Sequence, residues 1–331
     1  MSSSAARALG PLSDRSPRHS VGTVKVLAIT GMTRSGSTIL DTLLGEVPGF
    51  FSTGELHYLW ERGLLEGRAC GCGATVRSCP VWSRVLAETA RVVGDVDPHD
   101  VVTWQRDAVR ARHTWRLLYR TSADGDGWPA LTRYARVIAS VYRAIAKVTG
   151  SSVVVDSSKR ASDAAILGLL PGVEPYFVHL VRDPRAVAYS WRRAKAELDR
   201  GKRAEMPRHA VARSASTWLT LNLAAEAVRR GHPVERSVLV RYEDFVEWPT
   251  TTLARIVDLV GEPRARLPVD GGATATLGVN HTVSGNPSRF RTGAVELRVD
   301  DEWKTRQAPV DRALVTAMTL PLLARYGYWI S

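Results

Sequence analysis

Four short apolar runs rich in β-branched residues punctuate the chain, and each gives way abruptly to a polar cluster. Val24 to Ile29 precedes Gly31-Met32-Thr33-Arg34-Ser35-Gly36-Ser37-Thr38, and Val153 to Val155 runs through Asp156 into Ser157-Ser158-Lys159-Arg160. Tyr176 to Val181 precedes Arg182-Asp183-Pro184, and Val238 to Arg241 runs into Tyr242-Glu243-Asp244-Phe245. Behind the clusters apolar residues return at helical spacing, as with Ile39, Leu40, Leu43 and Leu44 after the first. Phe50-Phe51-Ser52 adds a shorter extended piece that ends in Thr53-Gly54-Glu55. Strands alternating with helices predict a parallel sheet covered by helices on both faces. Ligands of such sheets sit beyond the carboxyl ends of the strands, where every one of these polar clusters falls.

Between Cys70 and Gly150 the strand pattern lapses, and helical spacing appears around 81–93, 101–121 and 130–148 with a Gly/Asp/Pro break from Asp124 to Pro129. This predicts a helical insertion. Residues 83–150 and 192–235 are expected to form the acceptor side of a single domain spanning 21–331, with no internal repeat. Residues 1–20 are polar, contain Pro and Ser, lack the apolar stretch of a secretory signal, and are expected to be a disordered leader. No run approaches the roughly 18 apolar residues of a membrane helix. A cytoplasmic protein without a membrane partner is the expectation.

With 331 residues, 44% hydrophobic and 24% charged, the composition excludes wholesale disorder and fibrous repeats. Lys and Arg number 45 against 33 Asp and Glu, a formal charge of +12, which calls for an anionic partner: nucleic acid, membrane headgroups, or a small molecule bearing phosphate or sulfate. The lysines are Lys25, Lys147, Lys159, Lys195, Lys202 and Lys304, so arginine supplies nearly all the positive charge. Genome composition and a functional basic surface both account for that excess. Three cysteines, an odd number, stand close together at Cys70, Cys72 and Cys79, which argues against a disulfide framework and for a reducing compartment.

Gly31 to Thr38 has the glycine spacing and terminal hydroxyl of a Walker A loop, but Ser37 stands where that loop carries its lysine. Such a loop still offers backbone N–H groups and a helix dipole to a phosphate. Without the lysine it loses the cation that reaches the outer phosphates of a triphosphate, and Arg34 is placed to replace it. The alternative is a plain strand-to-helix turn. Together these features give an α/β, P-loop NTPase-like parallel sheet flanked by helices, with helical insertions.

Thr33 to Leu40, followed by Val181-Arg182-Asp183-Pro184-Arg185-Ala186 with Ser190, and then by Arg241 to Asp244, resembles the sulfotransferases that use 3′-phosphoadenosine 5′-phosphosulfate. The resemblance covers most of residues 24–330. It implies that Arg34, Ser35, Gly36, Ser37 and Thr38 hold the 5′-phosphosulfate, that Arg182 and Ser190 hold the 3′-phosphate, and that Tyr242 lies against the nucleotide. A donor with two separated anionic groups needs two anion sites about one ribose apart, and two strand-to-helix turns supply them. A local salt bridge is the other reading of Arg182-Asp183.

Sulfuryl transfer needs an in-line nucleophile, a base for the hydroxyl proton and positive groups near the leaving phosphate, and that set of parts calls for no metal. Glu55 follows the short strand at Phe50-Phe51, and the resemblance implies that it is the base, since a glutamate at this distance after the loop arginine serves so in some members of that family; His57 is the competitor because imidazole exchanges protons most readily near neutrality. If a helix begins at Glu55 their side chains diverge, since positions i and i+2 do not share a face. Lys159 is expected to reach the bridging oxygen, with Asp156-Ser157-Ser158 as a helix N-cap cluster and Asp163 on a helix surface. Asn280 to Gly293 forms a long polar loop, and resemblance to a family segment that closes over the 3′-phosphate makes Arg289, Arg291, Gly293 and Trp303 candidates. Ser284 is expected near the sulfuryl group.

Cys70-Gly71-Cys72-Gly73 with Cys79 accommodates zinc if His57 completes the set; buried thiols or one local disulfide are the default. Trp104, Trp115 and Trp128 read as core, and Arg192-Arg193-Ala194-Lys195 as a solvated helix face that is equally able to recruit an acidic acceptor. The expected activity is sulfuryl transfer to a hydroxyl of a small-molecule or carbohydrate acceptor. The rivals are a P-loop kinase, which requires magnesium, and a basic nucleic-acid binder, for which no helix-turn-helix, zinc-finger or RNP pattern is found.

Overall fold

The computed structural model describes residues 23–328 apart from 126, 194–195, 198–203, 206–209, 264–265 and 271. The leader expected over 1–20, and the middle of the basic stretch from Arg192 to Arg208, therefore lie outside the described residues. The strands in chain order are β1 (Val24–Gly31), β2 (Phe50–Ser52), β3 (Val153–Lys159), β4 (Val173–Val181), β5 (Ala196–Glu197), β6 (Ala204–Glu205), β7 (Ser237–Arg241), β8 (Thr274–Leu277) and β9 (Gly293–Glu296). One five-stranded parallel sheet has the order β2-β3-β1-β4-β7, and β5-β6 and β8-β9 are two antiparallel ribbons.

The helices that matter most for the site are α1 (Ser37–Gly45), α2 (Trp82–Val93), α3 (Pro98–Ala108), α4 (Thr114–Leu118), α5 (Pro129–Thr149), α6 (Ala161–Leu167), α7 (Pro184–Arg192) and α8 (Val211–Arg230). The insertion is helical as expected, but its middle stretch is cut into α3, a 3-10 turn at Ala111–His113 and α4. A π-helix at Leu59–Leu65, invisible to a 3.6-residue period, was not anticipated. The helix at Pro249–Leu259 is preceded by a shorter one, Tyr242–Glu247, and the two are divided where Pro249 cannot continue the first helix's hydrogen bonding.

Strand alternation divides the core into two layers. Val24, Val26 and Ala28 of β1 pack with Val154, Phe177 and the helical insertion on one face, while Leu27 and Ile29 pack with α1, Val153, Val155, Val178 and Leu180 on the other. Because both faces are covered, the central strands are buried along nearly their whole length and read as uninterrupted apolar runs. The chain moves from β1 toward β3 and then crosses to β4 on β1's other side. The connections leaving β1 and β4 therefore diverge, and a crevice opens between them at the carboxyl edge of the sheet.

Within this core β4 carries a fully buried imidazole. His179 Nε2 lies 2.9 Å from Asn222 Oδ1 on α8, and the Asn222 amide nitrogen donates to the Trp218 carbonyl, so Oδ1 accepts and His179 is the neutral Nε2–H tautomer. Burial pushes the His179 pKa down to about 4, and Nδ1 has no hydrogen-bond partner. A histidine depressed on folding contributes stability that is complete above its unfolded value near 6.5 and is lost as pH falls through about 4. The cost across that window is on the order of 3 kcal/mol. Urea unfolding of the wild type and His179→Gln at pH 7 and pH 4.5 should show the wild type losing more stability on acidification; equal losses would refute this account.

Candidate active site

The loop after β1 turns through left-handed backbone at Arg34 (φ 71°) and Gly36 (φ 84°) before α1 begins. Gly36 is obligatory for a second reason, since a Cβ there would stand 2.4 Å from Tyr242 Cδ2. As N-cap it has no side chain to occupy the first N–H groups of α1, which face the crevice with a positive dipole end. Ser35 is buried and its hydroxyl has no partner. The turn after β4 faces this loop. Asp183 caps α7 by accepting from the Arg185 N–H at 2.8 Å, and Pro184 fills the first helical position.

Arg182 is thereby fixed at the end of β4. Its guanidinium donates to the Arg34 carbonyl at 3.0 Å, lies 4.5 Å above the Tyr242 ring, and meets Asp300 Oδ2 at 3.3 Å. Arg34, Gly36, Ser37, Thr38, Arg182, Ser190, Tyr242, Asn286, Phe290, Arg291 and Asp300 line one cavity of about 710 Å³. The structure thus unites most of the donor residues expected from sequence. The loop lines this cavity together with Arg182, whose contacts are with Arg34, Tyr242 and Asp300, whereas Asp183 pairs with Arg185 at 2.6 Å.

Burial, reinforced by the nearby Arg193, pushes the Arg34 pKa down. Burial alone would push Asp300 up, but Arg182 and Arg193 overcome it and hold its carboxyl below the ordinary value. Asp300 is the countercharge of the crevice, bridging Arg182 and, at 2.5 Å, Arg193. Sequence reasoning missed it, although the acidic run Asp300-Asp301-Glu302 is conspicuous in so basic a chain.

Glu55 and Lys159 meet beside the crevice. Thr30 of β1 pairs with Lys159 after an irregularity in the β1–β3 register, and Lys159 takes a left-handed conformation (φ 69°). Its ammonium donates to Glu55 Oε1 at 2.6 Å and to the Ser157 carbonyl at 2.9 Å. Asp156 to Ser158 belong to β3, which corrects their reading as an N-cap cluster; Arg160 occupies that position. Asp156 is buried and pushed up by burial, and accepts from Tyr142 Oη at 2.6 Å and from the Ser158 N–H at 2.8 Å.

His57 lies in a 3-10 turn, Leu56–Tyr58, and its side chain is directed elsewhere: Nδ1 is 2.8 Å from Asp163 Oδ1, and Gln105 Nε2 donates to the His57 carbonyl at 3.0 Å. Asp163 is therefore a partner of His57, where a plain surface position was expected. Two residues of separation divide Glu55 and His57 between different neighbours, as the helical geometry requires.

The Asn280–Gly293 loop ties these parts together. The Ser284 carbonyl accepts from the Glu55 N–H at 3.1 Å, its hydroxyl accepts from Arg62 at 3.2 Å, and the Asn286 N–H donates to Thr38 Oγ1 at 3.3 Å. Arg291 lines the cavity. Arg289 is turned away and buried, donating to the Thr282 and Ala69 carbonyls at 2.7 Å each, because the loop needs a donor for its own backbone. Gly293 opens β9 at a positive φ with open space around it, and Trp303 packs under Arg185. The three cysteines are free, so no local disulfide forms, and His57 is not their neighbour.

A groove of about 1020 Å³ begins at Arg160, next to Lys159, and is walled by Trp115, Leu118 and Tyr119 on one side and Leu221 and Leu223 on the other. Trp115 is 58% and Tyr119 82% exposed, and their rings stack with centroids 6.3 Å apart, so Trp115 is not core; Trp128 is. Arg192 pairs with Asp311, and Arg193 with Asp300 and Glu302, so neither is a purely solvated charge.

Residues 27–266 match the sequence profile described as Sulfotransferase family. No protein of curated function matches the sequence. Solved structures that share the fold include two sulfotransferase domains. The sulfotransferase domain from the Synechococcus PCC 7002 olefin synthase is 22% identical, covers 95% of this chain and 98% of its own, and has a TM-score of 0.56. The sulfotransferase domain from the curacin biosynthetic pathway is 17% identical, covers 91% of this chain and 97% of its own, and has a TM-score of 0.50.

If the glycine loop is an anion cradle, Gly36→Ala should cost about 1–3 kcal/mol of stability through strain and weaken adenosine 3′,5′-bisphosphate by more than about tenfold. Gly49→Ala, also at a φ of 84° but remote from the cavity, should destabilise without changing affinity. Calorimetric titration of both variants decides the matter, and unchanged affinity in Gly36→Ala sinks the assignment.

Proposed function

The chain belongs to the sulfotransferase family, and within it we propose that it moves the sulfuryl group of 3′-phosphoadenosine 5′-phosphosulfate to a hydroxyl of a small-molecule or carbohydrate acceptor. The observation that carries this reading is a single cavity combining the uncapped N-terminus of α1 and Arg34 at the loop with Arg182, Ser190 and Arg291. A doubly phosphorylated nucleotide has two anionic groups to offer, and the lysine of a triphosphate loop is absent. Arg34 and the α1 N–H groups would bind the phosphosulfate, Arg182, Ser190 and Arg291 the 3′-phosphate, and Tyr242 the nucleotide between them.

In the transfer the acceptor oxygen bonds to sulfur while the bond from sulfur to the bridging oxygen breaks, leaving its electron pair on the phosphate. Glu55 takes the hydroxyl proton, and Lys159, already beside it, offers positive charge to the departing oxygen. His57, engaged by Asp163 and Gln105, positions the turn that carries Glu55. The groove of Trp115, Tyr119 and Leu223 supports an acceptor with an apolar or ring-bearing body. No described helix is long and apolar enough to cross a membrane. A cytoplasmic setting accords with the clustered free thiols.

Adenosine 3′,5′-bisphosphate should bind in EDTA and outcompete magnesium ATP, and Arg182→Ala should weaken it roughly 10- to 100-fold, the loss of charged hydrogen bonds. A preference for magnesium ATP would restore the kinase reading. Glu55→Gln should lower kcat by about 10²–10⁴ while retaining bisphosphate binding. His57→Gln should lower kcat less than about tenfold; the reverse ranking would make His57 the base.

A further inference from the structure

Cys70, Cys72, Cys79 and His281 converge, although 200 residues of chain separate the thiols from the imidazole, and their ligand atoms all lie within 4.8 Å of one another. Cys70 and Cys79 are fully buried with sulfurs 3.6 Å apart, and His281 Nδ1 stands 3.2 Å from the Cys79 sulfur and 3.9 Å from that of Cys70. Four ligands on a tetrahedral zinc, with Zn–S about 2.3 Å and Zn–N about 2.0 Å, have edges of roughly 3.5–3.8 Å. The observed separations bracket that range.

The backbone is arranged to bring these atoms together. Cys70-Gly71-Cys72-Gly73 forms a tight turn in which the Cys70 N–H donates to the Ala74 carbonyl at 2.7 Å and the Gly73 N–H to the Cys70 carbonyl at 2.8 Å. Gly71 lies against the other loop: its N–H donates to the Thr282 carbonyl at 2.9 Å, and a Cβ on it would strike Asn280 Oδ1 at 2.0 Å. Trp82 Nε1 donates to the His281 carbonyl at 2.6 Å. The buried Arg289 donates to the carbonyls of Ala69 and Thr282, the residues just before Cys70 and just after His281.

We propose that Cys70, Cys72, Cys79 and His281 bind one structural zinc ion. Four protein ligands close the tetrahedron and leave no open position for substrate, which separates this ion from the transfer chemistry. Three thiolates and a neutral imidazole around Zn²⁺ carry one net negative charge, and the buried Arg289 guanidinium that braces both ligand loops is its natural counterion. The ion joins the turn leading into α2 to the loop whose Ser284 holds the Glu55 backbone and whose Asn286 holds Thr38. Its removal should therefore loosen the catalytic edge of the sheet as well as the insertion.

The test uses full-length protein without a polyhistidine tag, reduced, reconstituted with excess zinc and freed of unbound ion by gel filtration. Elemental analysis should find about one zinc per chain, falling to near zero in Cys72→Ser and His281→Ala, whose positions are only half-buried. Fewer than about half an ion per wild-type chain, or undiminished zinc in either variant, overturns the proposal. Cobalt offered to the metal-free wild type gives a readout that needs no variant. Intense ligand-field bands with thiolate-to-metal charge transfer are expected of a tetrahedral sulfur-rich site, and the weak spectrum of octahedral cobalt excludes it.

Discussion

Positive charge concentrated in one crevice is the constraint on which the rest of this structure depends. Arg34, Arg182 and the open end of α1 converge where the connections from β1 and β4 part, and burial makes each of these charges costly unless an anion answers it. Asp300 supplies one carboxylate from the far end of the chain, shared between Arg182 and Arg193. The proposed donor, with two anionic groups, would place one beside each of the two basic centres. The left-handed backbone at Arg34 and Gly36, the close approach of Tyr242 to Gly36 and the capping of α7 by Asp183 all follow from holding those centres open.

The second organising element is the 280–291 loop, which joins the Thr53–Glu55 turn to Thr38 of α1 without belonging to the sheet. Thr53 and Val283 join through a 2.8 Å backbone hydrogen bond, Glu55 is held by Ser284, and Thr38 by Asn286. The loop makes no regular ladder with these residues, so its shape rests on side chains such as Asn280 and Arg289 that satisfy its own carbonyls and N–H groups. Arg289 is hence buried at 1% exposure while its neighbour two positions on, Arg291, faces the cavity.

This contrast explains how much the sequence could reveal. Strand ends β1, β3 and β4 were legible because strands buried on both faces read as continuous apolar runs, and the chemistry follows each within a few residues: Arg34 to Thr38, Lys159, Arg182. Functional groups adjacent to their own scaffold are local signals. Asp300, the Asp163 partner of His57 and the His281 neighbour of the cysteines are not, because each is defined by contacts across roughly a hundred residues or more of chain. Arg289 and Arg291 could not be told apart for the same reason. The β8–β9 ribbon escaped because Thr274–Leu277 and Gly293–Glu296 are four residues each and have too little alternation to register.

The Glu55–Lys159 pair gives the proposed reaction an internal order. At 2.6 Å the ammonium occupies a carboxylate oxygen that a base must offer to the acceptor hydroxyl, so in this arrangement the two groups restrain each other. Lys159 takes a left-handed conformation, its ammonium is also bonded to the Ser157 carbonyl, and it lies beside Thr30 at the end of the strand that launches the Gly31–Thr38 loop. A leaving group that gains negative charge at that edge competes with Glu55 for the same ammonium. In the proposed transfer, turning the lysine's charge toward the departing oxygen would release the carboxylate to accept a proton. On this proposal Glu55 and Lys159 are coupled through one hydrogen bond, and the negative charge developing on the donor would free Glu55 to act on the acceptor.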